Sequence, residues 1–158
     1  MTRHRRIAAC VGVLLAATAV VGCGANGTPP TIDPTPTTSA DPLEAALGIG
    51  LDIYTAQCLT CHESGQETEL APSMRGDLLD TFSSCADQNE FVSLGADAWP
   101  SDTYGDNASP FGDYELVMNG YRFALEPREI AAVNFWIRVE LAGVDATQAF
   151  TDCGLDSP

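Results

Sequence analysis

Residues Cys58-Leu59-Thr60-Cys61-His62 constrain this chain more than any other segment. They spell C-x-x-C-H. With six Cys and two His among 158 residues, chance supplies about 0.003 such matches. Three chemistries use paired cysteines. A dithiol redox site follows a strand in a βαβ pattern, and none is visible here. A closed zinc site needs four Cys or His ligands in paired clusters, whereas the only other histidine is His4, near the start of the chain. Covalent attachment of one c-type haem needs what is present. Two thiols reach two vinyl groups of one macrocycle, and the next imidazole turns under the iron. Such a ring is a large part of a small core, so the fold has to be built around it.

The beginning of the chain reads as an export signal. Arg3, Arg5 and Arg6 precede a short apolar run, Ile7 to Val21, in which Cys10 is apolar filler. The run is shorter than the ~20 residues of a membrane span. Its end, Val20-Val21-Gly22-Cys23, resembles a bacterial lipobox. The resemblance implies removal of residues 1–22 and lipidation of Cys23, with ordinary secretion as the alternative. Residues 23–42 hold a Pro/Thr-rich stretch with no apolar pattern, expected to be an extended tether reaching about 60 Å. Attached acyl chains would hold the protein to the outer face of the cell membrane, outside the cytoplasm.

Residues 23–158 keep all 22 Asp and Glu but only Arg75, Arg122, Arg128 and Arg138, a net charge of −18 with no lysine. Nucleic acid is a poor partner for that field. A redox partner with a basic docking surface suits it; plain solubility is the other reading.

One domain is expected over residues 43–158. Leu43, Leu47, Gly50, Leu51 and Tyr54 recur at helical intervals and predict a helix leading into Cys58. Pro127 opens a second helix, with Ile130, Val133, Ile137 and Leu141 on one face, and Gly143 closes it. The region from Gly95 to Gly112 reads as loop. Cys85 and Cys153 remain; outside the cytoplasm such a pair is expected to form a disulfide tying the C-terminal segment to the loop after Pro72, with two free thiols as the alternative.

From about Gly50 to Arg138 the chain resembles a class I mono-haem c-type cytochrome. The resemblance rests on C-x-x-C-H after a helix and on Gly50, Tyr54 and Trp136, placed where the first and last helices of that family cross. It extends to Ala71-Pro72-Ser73-Met74, and to Met118-Asn119-Gly120-Tyr121 ahead of the last helix. It implies an all-α fold, a small cytochrome c-like domain of helices and long loops wrapped around one covalently bound haem. His62 and Met118 would be the axial ligands, and the Pro72 carbonyl would accept the His62 Nδ1–H. Met74 reads as core, on the histidine side of the ring. Asn119 stands where proline is usual in the family, which is expected to loosen the Met118 loop. Trp99 and Tyr104 would wall the haem or bind a propionate, as would Arg75 and Arg122; loop packing and surface ion pairs are the alternatives. The implied function is one-electron transfer in a respiratory or dehydrogenase chain, without an enzymatic reaction. The rivals are a haem enzyme or gas sensor with an open sixth position, and a fixed haem subunit of a larger oxidoreductase.

Overall fold

The computed structural model describes residues 41–103, 105, 114 and 117–157. The export signal, Cys23, most of the tether and Tyr104 lie outside them. The described residues are helices and loops, with an isolated β-bridge between Gly95 and Asn119. None of these helices is long and apolar enough to cross a membrane.

Helix α1, Pro42–Ile53, starts where the Asp41 carboxylate accepts the Leu43 N–H at 3.1 Å and Pro42 presets the first turn. It does not run straight into the motif. A π turn, Tyr54–Cys58, intervenes before the short helix α2, Leu59–His62. The wider turn absorbs one extra residue and re-aims everything after it by about 100°. The turn therefore sets which way Cys58, Cys61 and His62 face.

Helix α3, Leu78–Thr81, is a single turn. Helix α4, Cys85–Leu94, is capped by the Ser84 hydroxyl accepting the Asp87 N–H at 3.1 Å, and it ends at Gly95, whose φ is +71°. Cys85 thus opens a helix, where the sequence suggested a loop. A 3₁₀ turn, Ala96–Ala98, follows. Helix α5, Pro127–Trp136, begins with the Glu129 carboxylate accepting the Glu126 N–H at 2.8 Å. It too passes into a π turn, Ile137–Leu141, before Gly143 (φ +75°) and α6, Ala146–Asp152.

Helix α5 is the axis of the molecule because it serves two cores. Val133 and Ile137 join Tyr54, Leu78, Phe82, Phe91 and Ala96 on one side. Ala131 and Phe135 join Ala46, Ala149, Leu155 and the disulfide-bonded Cys85 and Cys153 on the other. Helix α1 crosses α5 with Gly50 against Ala132 and Trp136, and the Tyr54 and Trp136 rings lie 4.6 Å apart.

Candidate functional site

A cleft opens beside the first core, enclosing about 170 Å³, or about 830 Å³ with the part open to solvent. Its lining includes Cys58, Cys61, His62, Pro72, Met74 and Met118, with Leu70, Val92, Val133 and Ile137 making the wall apolar. Residues far apart in sequence arrive there by different routes.

The π turn and α2 bring the cysteines and His62. Burial pushes the Cys58 thiol up to about 11, helped by the neighbouring Cys61. A redox dithiol works through a lowered pKa, so Cys58 is poorly suited to thiol exchange. The His62 ring is deeply buried, and burial brings its pKa down to about 4, opposed by the Pro72 carbonyl. The ring is therefore neutral at pH 7, the form that ligates a metal. His62 Nδ1 is buried and makes no completed hydrogen bond, although the Pro72 carbonyl is close enough to act on the ring.

The backbone after His62 is held in an unusual shape. Glu63 has φ +42° and ψ −123°, which a non-glycine residue adopts only at a cost. The Tyr54 hydroxyl donates to the Glu63 carbonyl at 2.7 Å, and Gly65 N–H donates to the His62 carbonyl at 2.8 Å. Thr68 ties the following loop down, its hydroxyl donating to the Cys61 carbonyl at 3.1 Å and accepting from Leu70 and Ala71 N–H. Met74 N–H bonds the Gly65 carbonyl at 2.9 Å, so Met74 belongs to the same segment as His62.

Met118 arrives from the opposite direction. Ala96 N–H donates to the Met118 carbonyl at 2.9 Å, while Tyr121 and Arg122 N–H donate to Val92 and Ser93 carbonyls at 3.0 and 3.1 Å. Gly95 and Gly120 pack backbone to backbone, leaving no space for a side chain on either. Asn119, expected to loosen this loop, instead pairs with Gly95 in the isolated bridge. Backbone bonds tie the loop to the end of α4. Tyr121 adds a tie across the cleft, its hydroxyl donating to the Gln57 carbonyl at 3.2 Å.

The remaining sequence candidates sit elsewhere. Arg75 is exposed and donates to the Ser64 carbonyl at 2.9 Å. Arg122 lies 4.8 Å over the Phe123 ring, facing a different cleft near the C-terminus. Trp99 packs edge-on against Phe91 and Phe82 and borders a small separate cavity with Thr81, Asp87 and Gly105. None of the three lines the cleft that holds His62 and Met118. Sequence reasoning missed Asn134, Tyr121 and Gln57, all part of the cleft wall. Asn134 sits in a helix otherwise read by its apolar face, and only the long-range fold reveals its role.

The donors fit a c-type haem: two thiols at one edge, a neutral imidazole with an unsatisfied Nδ1 beside a carbonyl, a thioether on a second segment, and an apolar wall. Among the described residues no group of three or more His, Cys, Asp or Glu is placed to hold a metal ion by itself. Comparison with known protein families, curated proteins and solved structures finds no match to this chain.

Proposed function

We propose that the cleft holds one haem c, bound covalently through Cys58 and Cys61 and ligated by His62 and Met118, and that the protein is a one-electron carrier. The observation that carries the reading is the convergence of these four side chains, with Pro72, on one largely apolar cleft. When bound, the group supplies reversible exchange of one electron at iron, with no bond to substrate made or broken. The chain does the rest. Cys58 and Cys61 fix the edge, and neutral His62 supplies a nitrogen without first losing a proton. The Met118 thioether would be the second protein ligand and would favour the reduced state relative to a second histidine. The apolar wall keeps water away and strengthens every electrostatic influence on the site.

The thioether edge next to Cys58 is the natural place for electrons to enter and leave. Leu59 and Val117 are exposed close to the cleft, and Phe123 is 91% exposed. A redox protein with a basic surface is the partner we assign, attracted by the net charge of −18 on residues 23–158. Lipidation at Cys23 would restrict the search for that partner to the outer face of the membrane.

The test is the optical spectrum of holoprotein made in a host that attaches haem c. The oxidised protein is expected to show the weak long-wavelength sulfur-to-iron band, lost in Met118→Ala and kept in Met74→Ala. A high-spin iron that binds carbon monoxide readily would overturn the carrier reading in favour of an open, reactive site.

A further inference from the structure

Arg138 is 2% exposed, and among the described residues no carboxylate forms an ion pair with it. Its guanidinium is held by two neutral acceptors: Nε donates to Gln88 Oε1 at 2.8 Å and a terminal nitrogen to the Phe82 carbonyl at 2.7 Å. Burial lowers its pKa, while Asp152 and Asp87 act on it only through space. A buried cation without an acid is costly, and a neutral side chain of similar shape would avoid that cost. Something else has to retain it.

The hydrogen bonds say where its influence goes. Arginine has only donors, so Gln88 must present its oxygen to Arg138 and its amide nitrogen elsewhere. That nitrogen donates to Asn134 Oδ1 at 3.0 Å, so Asn134 in turn points its own amide nitrogen outward, to Asn89 Oδ1 at 2.8 Å. One cation thus fixes the direction of three amides. Asn134, 0% exposed, is the member that lines the cleft between Val133 and Ile137. Hydrogen bonds therefore link the buried charge of Arg138, through Gln88, to one residue of the cleft wall, Asn134.

We infer that Arg138, acting through Gln88 and Asn134, is a positioning residue that biases the proposed redox centre toward its reduced form. The inference rests on the haem reading above. Reduction adds one electron and so one negative charge at the cleft. A fixed buried positive charge stabilises that change more than the oxidised state, and the low-dielectric wall screens it little. Arg138 lies outside both axial segments and neither contacts nor replaces a ligand.

The experiment is redox titration of holoprotein for the wild type, Arg138→Gln and Gln88→Glu. Gln88→Glu keeps Arg138 but pairs it with a carboxylate and removes the donor to Asn134, so it carries the test if Arg138→Gln does not accumulate. Both variants are expected to lower the reduced-to-oxidised ratio at fixed poise about tenfold, equal to about 59 mV for one electron. Covalent haem with an unchanged midpoint in Gln88→Glu would overturn the inference and leave the carrier reading standing. Wild-type protein whose mass lacks a covalently attached haem would overturn the carrier reading and the inference together.

Discussion

Gly50 faces Trp136 with no space between them: a methyl built on Gly50 would lie 2.5 Å from the Trp136 Cβ and closer still to the Ala132 carbonyl. This contact sets how near α1 comes to α5, and hence how near the π turn and His62 lie to Val133 and Ile137.

Gly50→Ala is expected to push the two helices apart, costing about 2 kcal/mol and lowering Tm by about 10 °C. Gly48 is the control, because nothing lies within 4 Å of a methyl there. Gly48→Ala should stabilise by about 0.5–1 kcal/mol through helix propensity alone. Thermal unfolding of the two variants is the measurement, and equal effects would refute the crossing argument.

Glu63 predicts a stabilising change beside the site. Its φ of +42° suits glycine, so Glu63→Gly should relieve strain and raise stability by about 1 kcal/mol. Tyr54→Phe should do the reverse by a similar amount, since it removes the 2.7 Å bond to the Glu63 carbonyl. Urea unfolding midpoints would read both.

The Met118 loop depends on Gly95 and Gly120 meeting backbone to backbone. Gly120→Ala should displace Met118 and weaken the sulfur-to-iron band of the holoprotein, with covalent haem unchanged. An undiminished band would mean that the loop is held by something other than this contact.

The Cys85–Cys153 disulfide spans 68 residues. Replacing both by serine should cost about 4 kcal/mol on the chain-entropy account, less if the unfolded chain retains structure. The expected signature is a lower denaturant midpoint with the visible spectrum unchanged, since the bridge lies in the core away from the cleft.

What the sequence made legible was chemistry carried by short spacing. Cys58, Cys61 and His62 sit within five residues, and the apolar repeat of Pro127 to Leu141 announces α5. Helix α4 escaped because its buried face mixes Cys85, Gln88, Phe91 and Val92, so apolar periodicity barely registers. Gln88 is polar because it serves Arg138 and Asn134, partners 50 and 46 residues away. The π turns escaped for another reason: nothing in Tyr54–Cys58 or Ile137–Leu141 departs from ordinary helical composition. The Met118 loop pairs with the end of α4 through its backbone, which the asparagine at position 119 does not reveal.

The bridge between Cys85 and Cys153 also encloses Met118 and all of α5 within one covalent ring. A protease that cuts the backbone once anywhere inside that ring leaves two pieces still joined through sulfur. The piece bearing Met118 then stays with the piece bearing Cys58, Cys61 and His62. For a protein expected to work outside the cytoplasm, where peptidases are common and resynthesis is not local, a single nick need not separate the two halves of the site.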